Sequence, residues 1–231
     1  EAGLKGLTSF ARLLIQVAQV FTLHAAAKLA RRPGEDIHLI AVSKTRTAQD
    51  IEPLILEGQR LFGENRVQEA ASKWPALKER HPDVELHLIG QLQSNKAEEA
   101  VALFDVIHSV DRLSLVTALG KAMEKLGRAV SCFIQVNIGA EEQKGGCSVA
   151  ELPELLKAAQ ESDIPVAGLM CIPPADVEAA PFFALLAELS ARYGLPQLSM
   201  GMSDDFETAI MLGATHIRLG TALFGERTRA V

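Results

Sequence analysis

The sequence predicts an α/β fold, a (β/α)8 TIM barrel with an extra N-terminal helix. Three observations predict it. Short β-like runs alternate with helix-like runs, their number reaches eight, and 231 residues suits a barrel of this kind. The strand candidates cover 37–43, 60–63, 85–89, 106–110, 130–138, 165–171, 197–200 and 216–219. Between them lie helical stretches at 50–57, 66–79, 95–104, 113–126, 150–161, 181–193 and 204–212. Several of these stop at a glycine, namely Gly58, Gly127, Gly194 and Gly213, the residue best suited to a left-handed helix stop. A doubly wound open sheet is the alternative, but no G-x-G-x-x-G follows the first strand.

The barrel is expected to be a single domain over 1–231, with 1–34 as the N-terminal helix packed on it. Leu7, Phe10, Leu14, Val17 and Phe21 recur at helical spacing, Thr8 or Ser9 can cap the start, and Pro33-Gly34 stops it. The basic start and apolar centre loosely resemble a signal peptide, but Gln16 and Gln19 interrupt that centre. Little sequence follows strand eight, so this helix is expected to fill the place of a full eighth helix. No stretch approaches the roughly 20 apolar residues of a membrane span.

Composition narrows the function. The chain is 48% hydrophobic and 23% charged, ordinary for a soluble globular protein. Its net charge of −6 and scattered basic residues argue against a nucleic-acid surface. Cys132, Cys147 and Cys171 lack metal-ligand spacing and read as buried reduced thiols of a cytoplasmic protein. The six histidines are dispersed, with no H-x-x-x-H pair, so no metal site is predicted.

In such barrels the site forms where the strands end and the βα loops begin. Strand seven ends in Ser199-Met200-Gly201-Met202-Ser203-Asp204 and strand eight in Arg218-Leu219-Gly220-Thr221. Hydroxyls, glycines and a helix start suit a phosphate; alternatively Ser203 caps a helix and the glycines serve turns. Strand alternation puts His38, Ile40, Val42 and Lys44 on one face, and His216, Arg218 and Gly220 on another. Strands one and eight are neighbours in a closed barrel, so Lys44 and Arg218 can both reach inward near those loops. A lysine partly desolvated beside another cation is a good Schiff-base nucleophile; the bland reading is a strand-end lysine reaching for solvent. Lys96 and Lys144 are rivals for the role.

The motifs "AVSKT" (41–45), "FGEN" with "VQEA" (62–65, 67–70), "HLIGQLQSNK" (87–96), "SVD" (109–111), "GLMCIPP" (168–174), "LSMGMSDDFETAI" (198–210) and "IRLGTALFGER" (217–227) resemble the pyridoxal phosphate homeostasis proteins, the YggS/PROSC family, whose fold is like the N-terminal domain of alanine racemase. The resemblance implies pyridoxal 5'-phosphate as cofactor, held covalently as an aldimine on Lys44. It places Ser199 and Ser203 in one phosphate segment, Gly220 and Thr221 in a second, Arg218 facing the pyridine nitrogen, and Asn65 near the ring. It implies an intracellular vitamin B6 homeostasis protein without robust catalysis, monomeric or weakly dimeric, whose partners beyond the cofactor are the apo-enzymes that use it. A pyridoxal phosphate-dependent amino-acid racemase or isomerase is the alternative, with slow proton exchange at Lys44 still compatible with the carrier. Three positions depart from the family pattern: Arg66 where tyrosine is frequent, Gln91 where proline or histidine is usual, and Cys171 where threonine is common.

Overall fold

The structure is a computed structural model that describes residues 22–224. Eight parallel strands close into a barrel in sequence order: β1 (His38–Val42), β2 (Leu61–Glu64), β3 (Glu85–Leu88), β4 (Val106–Val110), β5 (Ser131–Gln135), β6 (Val166–Met170), β7 (Gln197–Ser199) and β8 (His216–Leu219). Helices α2 (Ala48–Leu56), α3 (Val67–Arg80), α4 (Ala97–Leu103), α5 (Leu113–Leu126), α6 (Leu152–Glu161), α7 (Ala180–Arg192) and α8 (Phe206–Met211) alternate with the strands. A short α9 (Thr221–Phe224) follows β8. Closure is direct: β1 pairs with β8, with His38 opposite His216 and Ile40 opposite Arg218.

Each helix buries one stripe against the outer face of the strands. On α3, Val67, Ala70, Trp74 and Leu77 are buried at 3–4-residue spacing. On α5, Leu115, Val116, Leu119, Ala122 and Met123 do the same. Thr47 and Asp50 form a reciprocal capping box at the start of α2. The glycines predicted to end helices all have positive φ, from 58° at Gly127 to 104° at Gly213. The apolar layer between strands and helices forms one continuous core.

A helix over 22–29, here α1, precedes the barrel. Its Leu23, Ala26 and Ala27 are buried in that core. Arg32, just beyond it, donates to the carbonyls of Ile210 at 3.1 Å and Ala214 at 2.6 Å. This anchors α1 beside α8, in the sector of the last two strands. The helical spacing read from Leu7 to Phe21 lies outside the described residues. Among the described residues, no helix is long and apolar enough to cross a membrane.

One strand is shorter than the sequence suggests. The apolar run 130–138 predicts nine residues of β5, but the strand covers Ser131–Gln135, and Val136 then bridges to Cys147. Asn137 ends it by turning its side chain onto the following loop. Its amide donates to Glu141 O at 2.8 Å, and its Oδ1 accepts from Glu141 N at 3.1 Å.

Candidate functional site

Lys44 stands at the mouth of β1, in a turn with Thr45, whose φ is +63°. Lys73 holds this turn from behind. Its amine donates to the carbonyls of Ser43 at 3.0 Å and Arg46 at 2.9 Å, bracketing Lys44. The same amine meets Glu64 at 2.9 Å and Glu69 at 2.8 Å. Glu64 is fully buried and also accepts from Ser43 Oγ at 2.6 Å and Trp74 Nε1 at 3.0 Å. Glu69 accepts from the backbone N–H of Thr45 at 2.5 Å. Glu69, Lys73 and Trp74 therefore use one side of α3 to fix the lysine-bearing turn.

Lys44 itself is half-buried. Its amine has no hydrogen-bond or ion-pair partner among the described residues. The rival lysines are engaged. Lys96 pairs with Glu99 at 2.7 Å, and Lys144 pairs with Glu141 at 2.6 Å while donating to Pro173 O at 2.9 Å. Lys44 thus combines a fixed backbone with a free amine, the arrangement a covalent attachment point needs.

Arg218 points into the barrel one level below that mouth and is 4% exposed. Its guanidinium donates to Ser199 Oγ at 2.7 Å and to the carbonyl of Cys171 at 3.0 Å. Neither partner is charged. Burial lowers its pKa, while Cys171 and Asp205 act weakly the other way. A guanidinium stays protonated even so. A buried cation held by neutral acceptors alone suits an electron-rich ligand atom at the mouth.

Both predicted phosphate loops lie at this end of the barrel. Gly201 has φ +97°, and a Cβ there would lie 2.6 Å from Ala209 Cβ, so only glycine fits. Its carbonyl accepts from Arg218 N at 3.0 Å, tying the two loops together. Ser203 is exposed ahead of Asp205, the N-cap of α8, and its hydroxyl has no partner among the described residues. Gly220 lies over Val42, where a Cβ would come within 3.4 Å of Val42 Cβ. Thr221 is exposed at the start of α9. Asn65 is half-buried after β2, and its backbone presses so closely on Gly90 that a Cβ there would lie 2.2 Å from Asn65 O.

Ser199 is placed differently. Its side chain is fully buried inside the barrel, with the hydroxyl shared between Arg218 and His108 Nδ1, the latter at 2.9 Å. Its hydroxyl is therefore engaged inside the barrel by Arg218 and His108, one residue before the loop that carries Ser203. Strand geometry is the reason: Ser199 is the last residue of β7 and faces inward.

The three departures from the family pattern are accommodated. Cys171 holds Arg218 through its backbone carbonyl, and its side chain is fully buried in the core. Burial pushes its thiol up to about 12, which makes it inert. Gln91 donates to Gln135 Oε1 at 3.3 Å and lies against Gly145, linking the β3 and β5 loops. Arg66 is exposed at the N-cap of α3.

The family described as alanine racemase, N-terminal domain, matches residues 22–228. The pyridoxal phosphate homeostasis protein of Escherichia coli strain K12 is 41% identical over 215 residues, covering 89% of this chain and 92% of the relative. That of Aquifex aeolicus strain VF5 is 40% identical over 215 residues, covering 89% and 93%. PipY of Synechococcus elongatus PCC7942, solved with pyridoxal phosphate bound, is 40% identical with a TM-score of 0.73, covering 88% of this chain and all of PipY. Alanine racemase of Clostridium difficile 630 shares the fold at 14% identity and a TM-score of 0.67, covering 90% of this chain and 57% of the racemase. The chain belongs to the alanine racemase N-terminal domain family and, within it, to the pyridoxal phosphate homeostasis proteins.

Proposed function

We propose that this chain binds pyridoxal 5'-phosphate at the strand C-terminal mouth of the barrel and carries it without turning over amino acids. One observation carries the reading: an amine of Lys44 that no described residue engages, on a clamped turn, above a buried Arg218 that no carboxylate among the described residues pairs with. Lys44 Nζ is the atom that bonds the aldehyde. The loops at Gly201–Ser203 and Gly220–Thr221 receive the phosphate through backbone N–H groups and the two exposed hydroxyls. Arg218 faces the ring nitrogen, and Asn65 lies beside the ring. The relatives of this family named for pyridoxal phosphate homeostasis, and the PipY structure with the ligand bound, support the same reading.

Pyridoxal phosphate, when bound, supplies an electrophilic aldehyde and a ring that can delocalise charge. This chain's own groups restrain the second property. Arg218 is a donor-only cation, so it disfavours a proton on the ring nitrogen. Racemisation also needs a base on each side of a substrate carbon. Lys44 can be one. The single tyrosine, Tyr193, is the C-cap of α7, at the opposite end of the barrel from Lys44. Delivery to apo-enzymes in the cytoplasm fits a protein that binds without turnover. Three buried free cysteines suit that reducing compartment.

The test loads the protein with pyridoxal phosphate, removes the excess, and adds amino acids in deuterated water. Retained cofactor with no exchange of the α-proton over hours is the expected result. Exchange at enzymatic rates would replace the carrier with a racemase, and failure to retain cofactor would remove both.

A further inference from the structure

The inner layer of this barrel is chemically unusual. Barrel interiors are filled mainly by Val, Ile and Leu. Here β3, β4 and β8 each contribute a buried imidazole, His87, His108 and His216, and the exposed His38 of β1 lies against His216 at 4.8 Å. His108 stacks on Phe133 at 4.3 Å and 9°. Polar groups cost stability in such a layer unless they are hydrogen-bonded, and apolar residues of similar size fill the space without that cost. Packing alone therefore does not account for them.

Three of the contacts run in line. Arg218 meets Ser199 Oγ at 2.7 Å, Ser199 Oγ meets His108 Nδ1 at 2.9 Å, and His108 Nε2 meets His87 Nδ1 at 2.9 Å. Beyond them, His87 Nε2 lies 3.1 Å from Glu85 Oε1. That last contact is bent off the N–H direction, and His87 Nε2 has no other partner. Glu85 is half-exposed at the other end of the barrel, in a cavity of about 350 Å³ lined also by His38, Gln197 and His216.

The donor inventory fixes the direction. A guanidinium only donates, so Ser199 Oγ accepts from Arg218 and its own proton goes to His108 Nδ1. Neutral His108 then carries its proton on Nε2 and donates to His87 Nδ1. His87 in turn carries its proton on Nε2, toward Glu85. The opposite direction would leave the Ser199 proton without an acceptor and set a His87 lone pair against a carboxylate. Burial, with His87, His216 and Arg218 nearby, holds the His108 pKa well below the usual imidazole value, consistent with a neutral ring.

We propose that Ser199, His108, His87 and Glu85 form one directed polar string through the barrel that positions the Arg218 guanidinium. His108, His87 and Glu85 are thus positioning residues, and a charge at the far mouth is coupled to the ring-nitrogen end of the site. The string stands on the protein alone; its effect on the cofactor rests on the proposed function.

The experiment reads imidazole nitrogens by NMR in the cofactor-free, histidine-labelled chain. His108 and His87 are expected as neutral rings protonated at Nε2. Glu85→Gln, at a half-exposed side chain, is expected to shift the His108 nitrogens across the intervening ring. His108 protonated at Nδ1, or His108 signals unmoved by Glu85→Gln, would overturn the string. A second arm follows pyridoxal phosphate retention. His108→Phe removes the acceptor for Ser199 and is expected to weaken retention about tenfold, the worth of one lost buried hydrogen bond. His108→Asn keeps an acceptor near the Nδ1 position and is expected to restore most of it. Equal retention in the two variants overturns the positioning role. Absence of retention in the parental protein fails the proposed function and leaves the NMR result standing.

Discussion

Mild acid should destabilise this protein well before its carboxylates titrate. Burial is the main force lowering the pKa of His216, to about 3, and of His108, to well below the usual imidazole value. Nearby histidines and Arg218 act in the same direction. In the unfolded chain both titrate near 6.5. The unfolded state therefore binds more protons between these limits. The stability associated with the neutral rings is complete above about pH 6.5 and is lost as pH falls toward the folded-state values. At pH 5 the His216 ring alone costs about 2 kcal/mol of the 5–15 kcal/mol a domain usually has, and His108 adds a cost of the same sign. The assay is urea denaturation of the cofactor-free protein at pH 8 and pH 5. The midpoint should fall, and His216→Leu should reduce the pH dependence. A midpoint unchanged over this range would show that these rings are not held neutral in the fold.

Other perturbations test the site's scaffold. Lys73→Met removes the amine that brackets Lys44 and leaves Glu64 buried without its cation. It should cost about 3 kcal/mol in urea denaturation, and also slow borohydride-trapped attachment of pyridoxal phosphate; unchanged trapping would show that the turn needs no clamp. Gly201→Ala puts a Cβ 2.6 Å from Ala209 Cβ at a φ of +97°. A loss of about 1–3 kcal/mol in thermal or urea unfolding is expected, together with loss of inorganic phosphate competition against pyridoxal phosphate. Full retention of both would remove the first phosphate loop from the site.

Much of the fold could be read from local chemistry. Gly58, Gly127, Gly194 and Gly213 mark helix ends because a left-handed stop needs glycine, and each has positive φ. Closure of the barrel was enough to make β1 and β8 neighbours, while their register, with Ile40 opposite Arg218, came only with the structure. Asn137 cut β5 short against an apolar run, since its side chain bonds a loop that strand propensity does not register. The histidines show the sharper limit. They look dispersed because metal pairs are sought at helical spacing, whereas His87 and His108 meet across two strands, 21 positions apart. Ser199 and His108 are 91 positions apart. Their contact exists only after closure. The clamp by Lys73 was hidden for the same reason: its partners lie on β2 and in the turn between β1 and α2.

The central claim is that Lys44 is the attachment point. The direct measurement treats the protein with pyridoxal phosphate, reduces with borohydride, and maps the added mass by peptide. A single modified residue at Lys44, lost in Lys44→Ala, is the predicted result. Stoichiometric modification at Lys96 or Lys144 with Lys44 untouched would contradict it.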